Sequence, residues 1–592
     1  MVGKNGSREF RSYRQIRESA HRVAAAFRLE DLDHLDRLIL ALPTGFEFLT
    51  SFFGALAAGV APIPFPQPES EDEKNRFRHA LVRFGRRLDA DAVVMSLDAG
   101  YWERPGDGSI APFSLVTDVG GLLESVPANI TIREPWDLPE TAYIQLTDGT
   151  TARPRPVELG HANIVENVRG IGRALDIAED DVGVSWIPLH NPLGLVGVVC
   201  FGVAFNIDLV LIHPERFLDS PASWLKAISR YGGTLSAAPN FAYHYAVRRC
   251  RESDIEDLDL SSWRVAMSGG EPVRGQHLDA FVQRFRAYGL RDDVFTPVYG
   301  LSEATIGVTF GALEEPFGMD AINRRILEQD GRAKPLPEGG APTPAERMHL
   351  VSVGEPLDEV DLRIVDDRDE PVDERVLGEI AIRGPNVMQG YIGDVERRGA
   401  ARMQHGWLYT GDLGYLADGE LYVVGRACGR IRLEENRTVF PEEVEFFVDA
   451  VDGVHAGRSA VFGIPIGSNA HDAGAPRTSD INVREPEAIV VAFELQSGTD
   501  FEDVRGPLRR LLDTHLHVEP DEIVALSPRS IPRTKSGKVQ RFLARKLYLN
   551  GRLDRRDRNG RLETVRRFVR RARDEFETLR ETIRGRLSDL LG

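Results

Sequence analysis

The stretch TDGTTARPRPVELGH, Thr147 to His161, follows directly on the apolar run AYIQL. Thr147, Gly149, Thr150 and Thr151 put hydroxyls and glycines at what reads as a strand end. Such groups can wrap phosphate oxygens through O–H and backbone N–H donors. By itself the pattern is weak, since such a turn after a strand is more often purely structural. Other chemistry-bearing residues stand further along: Tyr299, Gly300 and Glu303 in VYGLSEAT, Asp412 in YTGDLG, Arg426 after Gly425, and Lys538 in PRTKSGK. Each has a plain alternative. Lys538 could be a solvated loop lysine, Asp412 a turn cap, Glu303 a helix cap and Tyr299 a packing residue. His190 has the residue type of a base, but the reading here is structural or substrate-lining. Neither a G-x-S-x-G elbow nor a G-x-x-x-x-G-K-[ST] loop is found in the sequence.

The order and spacing of these stretches resemble the adenylate-forming superfamily, and most closely its fatty acyl-AMP ligases. SWIPLHNPLGLVG, GTLSAAPNFAY, DLDLSSWRVAMSGGEPV, GRAKPLP with LVSVGEPL, and RSIPRTKSGKVQR support it, so the resemblance runs from about Arg11 to Leu549. It implies that ATP and a carboxylic acid, expected to be fatty, give an acyl adenylate and pyrophosphate. Like charges must then approach, and fixed cations and donors must offset them. The resemblance implies roles residue by residue. Thr147, Gly149, Thr150 and Thr151 would hold the departing phosphates, with Arg155 at the basic position of that loop. Glu303 would hold Mg²⁺, a hard cation suited to carboxylate oxygen. Tyr299 would stack on adenine beside a wall formed by Gly269, Gly270, Glu271 and Pro272. Asp412 would accept from the ribose hydroxyls, Arg426 would add a ribose or phosphate contact, and Lys538 would bridge the carboxylate and AMP. His190, Asn191 and Gly194 would line the acyl entrance.

The sequence departs from the family pattern in four places. Asp148 stands where serine is usual, Pro156 where glycine is usual, and Asn191-Pro192 where a His-Asp pair is usual. The hinge falls at Gly429 or Arg430, in a stretch one residue longer than the pattern. Asp148 near a triphosphate would repel it by about 1 kcal/mol in water at 4 Å, and by about 4 kcal/mol at an effective dielectric of 20. Pro156 removes an N–H and fixes φ.

These residues need a scaffold, and the surrounding sequence supplies its outline. RLILALP, DAVVMSL, DVGVSWIPL, DLVLIHP, GTLSAAP and WRVAMSGGEP are short apolar strands separated by helical patterns such as YRQIRESAHRVAAAF and FEFLTSFFGALAAG. That alternation predicts an α/β fold with parallel sheets covered by helices. Closely spaced strands from about Gly378, GEIAIRG and GELYVVGR, predict an antiparallel section. The expected organisation has three parts. Residues 1–425 form a large multi-subdomain adenylate-forming domain with doubly wound parallel sheets and a small β-barrel. Residues 426–550 form a small mobile α+β domain, and 551–592 an amphipathic helical extension. Leu562, Val565, Val569, Ala572, Phe576, Leu579 and Ile583 give that extension a heptad-like stripe. It would pack on its own domain, or mediate a homodimer or carrier contact.

The 592 residues are 42% hydrophobic with a formal charge of −18, which argues against a general nucleic-acid binder. Three scattered cysteines, Cys200, Cys250 and Cys428, suggest neither zinc nor disulfides and suit a reducing cytoplasm. The most apolar run, Leu193 to Ile212, is interrupted by Asn206 and Asp208. It reads as a buried helix leading into a strand, not a membrane span. The leading expectation is therefore an acyl-AMP ligase that delivers its acyl group to a carrier-protein thiol on a separate chain. The alternatives are a binding or scaffold protein with impaired chemistry, and an acyl-CoA synthetase. The stretch between Gly318 and Val351 falls where acyl-AMP ligases carry an insertion, which disfavours CoA.

Overall fold

The run RLILA becomes β1 (Arg37–Ala41) of a parallel sheet. The computed structural model describes residues 1–30, 32, 37–68, 71–96, 113–124, 126–127, 139–147, 154–337, 343–393, 401–433, 437–465, 486–534 and 537–554. β2 (Ala61–Pro64), β3 (Ala92–Met95) and β4 (Leu115–Thr117) join β1 in the order β2-β1-β3-β4, every pair parallel. Leu38 and Leu40 face one hydrophobic cluster, while Ile39 and Ala41 face another. A sheet buried on both faces needs apolar residues at every position, hence a continuous run instead of an alternating one. The helix Phe46–Ala58 links β1 to β2 and stops at Gly59, whose φ of 83° is left-handed. Glycine adopts that conformation without a Cβ penalty.

β5 (Thr141–Leu146) and β6 (Pro156–Gly160) form an antiparallel hairpin, extended by the short strand Gly390–Tyr391. A larger sheet follows, built from β7 (Val182–Ser185), β8 (Asp208–Leu211), β9 (Leu235–Ala238), β10 (Val265–Ser268), β11 (Phe295–Gly300) and β12 (Gly307–Phe310). Its order is Glu355–Pro356, β12, β11, β10, β9, β7, β8. The pairs from β8 to β11 are parallel, and β11–β12 is antiparallel. The run from Leu193 is helical up to Phe205 and then enters β8, as its sequence implied. One turn of it, Leu195–Cys200, is a π-helix. Among the described residues no helix is long and apolar enough to cross a membrane. Further on, Asp361–Val365, Gly378–Arg383, Arg402–Gln404, Trp407–Ala417 and Glu420–Arg426 make a five-stranded antiparallel sheet. The pairings among the described residues do not close it into a barrel.

The chain divides into two compact units. The first gathers Met1–Gly149, Arg153–Ala321 and His349–Val424. The second includes Ile322–Met348 and Gly425–Gly592. In the second unit, Val454–Pro465 pairs antiparallel with Glu487–Leu495, which pairs parallel with Glu522–Leu526. Val461, Val491 and Phe493 pack on the helices Pro441–Asp449 and Phe501–Leu516 through Val444, Val448, Leu508 and Leu512. Phe462, Val490 and Val524 pack on Ala544 of the helix Arg541–Leu549, and Leu553 belongs to the same cluster. Arg324 and Glu328, on the helix Arg324–Asp330, join the second unit by charge. Arg324 Nη1 lies 2.5 Å from Glu443 Oε1, both side chains being nearly inaccessible. Arg324 also donates to the carbonyls of Ala345 and Arg347, and Arg437 pairs with Glu328 at 3.3 Å. The heptad-like stripe from Leu562 to Ile583 lies outside the described residues.

Candidate active site

The hairpin β5–β6 positions the loop that begins at Thr147. Its register sets Leu146 opposite Pro156. Thr147 N–H donates to the Arg155 carbonyl at 2.9 Å, and Arg155 N–H donates to Thr147 Oγ1 at 3.0 Å. Thr147 therefore ties the neck of the loop. Asp148, Gly149, Thr150 and Thr151 lie outside the described residues. Pro156, which has no N–H to give, sits on β6 and accepts from Ile392 N–H through its carbonyl.

Arg155 turns toward Glu303. Its Nη2 is 2.9 Å from Glu303 Oε1, with both side chains largely buried. Tyr391 O–H donates to the same oxygen at 2.7 Å, and the guanidinium lies 4.5 Å from the Tyr391 ring centroid. Among the described residues none donates to Oε2. The carboxylate is thus largely neutralised on one oxygen and open on the other.

The turn after Glu303 is strained. Thr305 has φ 64° and ψ −63°, and Ile306 N–H donates to the Ala304 carbonyl at 2.7 Å. A β-branched residue in this γ-turn costs about 1–3 kcal/mol and needs outside support. It has that support. Thr305 Oγ1 donates to the Asn386 carbonyl at 2.7 Å, and the Asn167 side chain exchanges two hydrogen bonds with the Gly307 backbone. Gly300 makes the close return possible, because a Cβ there would meet the Ile306 carbonyl oxygen at 1.7 Å.

β10 and β11 run parallel with Ser268 opposite Pro297. Their carboxyl ends carry Gly269, Gly270, Glu271 and Pro272 on one side and Tyr299 on the other. Ligands in open α/β sheets characteristically bind beyond such strand ends. Gly269 lets the two turns touch, since its Cβ would lie 2.5 Å from the Val298 carbonyl oxygen. Glu271 Oε1 accepts from Phe241 N–H at 2.6 Å, which anchors the turn. Tyr299 O–H donates to Asp412 Oδ2 at 2.7 Å, and both residues are buried. Nearby, Gly411 N–H donates to Glu379, whose carboxyl is pushed up by burial against the pull of Arg402.

His190 lies beside the carboxyl end of β5, and Asn191 and Gly194 follow it in the chain. The His190 carbonyl accepts from Gln145 Nε2 at 3.0 Å. Asn191 caps the following turn by accepting from Leu193 N–H at 2.9 Å. Gly194 permits close packing, as its Cβ would sit 2.5 Å from the Pro188 carbonyl oxygen. Local roles thus explain Asn191 and Gly194 without a ligand.

Arg426 and Lys538 belong to the second unit. Lys538 closes a hairpin: its N–H donates to Thr534 Oγ1 at 3.0 Å, and Thr534 N–H donates to its carbonyl at 2.8 Å. Gly429 ends a short 3₁₀ turn and Arg430 follows it.

Tyr391, Thr305 and Asn386 support the site without a signal in the sequence. A tyrosine in MQGYIGD has no local signal, because its importance comes from the pairing of Gly390–Tyr391 with β6.

The sequence pattern of AMP-binding enzymes matches residues 2–392. The chain belongs to the AMP-binding enzyme family. It is similar to the medium-chain-fatty-acid–[acyl-carrier-protein] ligase JamA of Moorena producens, with 29% identity over 93% of this chain and 92% of that one. A solved structure from studies of fatty acyl-adenylate ligases of E. coli and L. pneumophila matches with TM-score 0.80 and 29% identity. It covers 93% of this chain and 95% of its own. The fatty acyl-adenylate ligase of L. pneumophila in complex with acyl adenylate and pyrophosphate matches with TM-score 0.64 and 27% identity, over 92% and 91% of the two chains. The mixed α/β architecture with parallel sheets is that of these AMP-binding enzymes.

Proposed function

We propose that the chain is a fatty acyl-AMP ligase whose nucleoside site lies at the carboxyl ends of β10 and β11. The observation that carries this reading is the buried Tyr299–Asp412 contact at 2.7 Å beside the Gly269–Pro272 turn, in a chain of the AMP-binding family. In the first half-reaction a fatty-acid carboxylate oxygen attacks the α-phosphorus of ATP. The bond from that phosphorus to its bridging oxygen breaks, and pyrophosphate leaves. In the second, a carrier-protein thiolate attacks the acyl carbon, the carbon–oxygen bond to AMP breaks, and AMP leaves.

The residues divide this work. Tyr299 and the Gly269–Pro272 turn would hold adenine, and Asp412 the ribose hydroxyls through charge-assisted bonds. Thr147 and Arg155 fix the neck of the phosphate loop. Lys538 would offset charge that develops in the transition state, and Arg426 would contact ribose or phosphate. Glu303 fits a Mg²⁺ role through Oε2, since both described donors use Oε1. Magnesium keeps most of its shell as water and phosphate oxygen, so one carboxylate oxygen suffices. When bound, it would supply positive charge against the phosphates.

The carrier acceptor is supported by likeness to an acyl-carrier-protein ligase along nearly the whole chain. It is also supported by the stretch between Gly318 and Val351, which falls where acyl-AMP ligases carry their insertion. The Arg155–Glu303 pair favours a second reading, a binding protein whose phosphate end is closed by its own side chains. Hydroxamate trapping with ATP across fatty, aryl and small acids separates the two. A fatty hydroxamate is expected, and its absence with every acid would leave only the binding protein.

A further inference from the structure

Two arginines bracket the Lys538 hairpin in sequence, Arg533 and Arg541. The described residues of this hairpin are tied to one another across it. Arg533 and Val539 form an antiparallel bridge, and Gln540 N–H donates to the Pro532 carbonyl at 2.9 Å. Its own bonds set its shape but do not set where it points. That depends on its two ends.

Both ends are held near one helix. Arg541 presents its fork to Glu445, with Nε at 2.7 Å from Oε1 and Nη2 at 2.6 Å from Oε2. Its remaining arm reaches Glu442 Oε1 at 2.6 Å. Glu445 Oε1 also accepts from Val461 N–H at 2.9 Å, so the carboxylate is fixed to the sheet as well. Arg533 donates to the Gly457 carbonyl, two residues before Ser459, whose hydroxyl bonds Asp449 at 2.8 Å. Glu442, Glu445 and Asp449 recur at steps of three and four on the helix Pro441–Asp449, so they share one face.

Stability alone is a poor reason for this arrangement. Glu445 is only 7% exposed. A buried ion pair is often no more stabilising than apolar side chains of similar volume. What a bidentate guanidinium–carboxylate pair adds is direction, because both groups are planar and meet in one geometry. A direction imposed on Arg541 is imposed on the end of the Lys538 hairpin, three residues away.

We propose that Glu445 is a positioning residue for adenylate formation, which through Arg541 fixes the orientation of the hairpin that carries Lys538. This rests on Lys538 being the lysine that acts on the adenylate. Glu442 is the auxiliary contact.

The test is ATP–pyrophosphate exchange by the full chain with dodecanoic acid, alongside thermal melting, for wild type, Glu445→Gln, Glu445→Asp, Arg541→Lys, Glu442→Gln and Lys538→Ala. Glu445→Gln and Arg541→Lys should lower kcat at least tenfold while KM for ATP and acid stays within twofold. Glu442→Gln should lower kcat only two- to threefold. Glu445→Asp keeps the charge and should recover part of the loss. If Lys538→Ala is inactive and Glu445→Gln keeps the wild-type kcat, the positioning role is overturned. It is equally overturned if the loss of kcat disappears when the assay is run far below each variant's melting temperature, since the effect is then on folding alone. If Lys538→Ala exchanges like wild type, the reading of the active lysine itself is wrong, whatever Glu445→Gln does.

Discussion

Glu303 spends one oxygen on two donors, and this shapes how the site would take a cation. Any Mg²⁺ at Oε2 meets a carboxylate already drained of charge by Arg155 and Tyr391. A hydrogen bond to a charged group is worth about 1.5–3 kcal/mol. Tyr391→Phe removes one such bond and leaves the arginine in place. The variant should therefore reach half-maximal exchange at a Mg²⁺ concentration about tenfold lower. A Mg²⁺ titration of exchange checks it, and an unchanged or higher requirement would refute the idea. Lys538→Ala should reduce exchange by about 10²–10³-fold, the range seen when one preorganised donor is removed, with circular dichroism unchanged. The resemblance of their surrounding motifs to a family singled out Glu303, Asp412 and Lys538 in the sequence, where residue type alone left each with a plain alternative. Neither could reveal that Glu303 shares its oxygen with Tyr391. The two are 88 positions apart and meet only because a short strand pairs with β6.

At the scale of the element, the helix Pro441–Asp449 was legible as PEEVEFFVDAV, with proline at its start and acids in its first turn. Its apolar face was legible too, through Val444 and Val448. The meaning of its acidic face was not, because the arginine that answers it lies 96 residues away from Glu445. The last acid of that face gives a pH dependence. Burial pushes the Asp449 carboxyl up to about 7, a nearby Glu445 adds to the rise, and the Ser459 hydroxyl, the Gly457 N–H and Arg533 oppose it. An unfolded aspartate titrates at about 3.9. Between those values Asp449 is protonated in the folded chain and ionised in the unfolded one, so its contribution to stability falls as pH rises and is lost above about 7. Asp449→Asn cannot ionise and should escape that fall. Its melting temperature should exceed the wild type's at pH 8 by clearly more than at pH 4. Calorimetry at both values checks this, and an equal difference at the two would contradict it. The parallel strands were readable because burial on both faces makes them uniformly apolar. The γ-turn at Thr305 was not, because nothing in LSEATIG forbids an ordinary helical turn there.

At the scale of the whole molecule, the second unit recruits Ile322–Met348 from the middle of the chain and runs on past Asn550. Leu553 is 6% exposed, and Ser527 N–H donates to the Asp554 carbonyl at 3.2 Å. A chain ending at Asp554 should therefore keep full adenylation, while one ending at Asn550 should melt earlier. Equal melting of the two would contradict the packing of Leu553. Arg324→Met strands the buried Glu443 and should destabilise the second unit by about 3–5 kcal/mol. Adding Glu443→Leu should recover part of that, since the Ala345 and Arg347 carbonyls still lose their donor. Denaturant unfolding of the three forms decides it, and failure of the double variant to recover would show that the loss came from elsewhere. Local patterns could outline the strands and helices of both units, but not this recruitment, which depends on one buried charge finding another. The same recruitment fixes an order of events at the ribosome. Arg324 is synthesised roughly 120 residues before Glu443, and at about 5–20 residues per second that is a wait of about 6–24 seconds. During it the segment has no second unit to join, and Arg324 waits without the carboxylate that answers it in the folded protein.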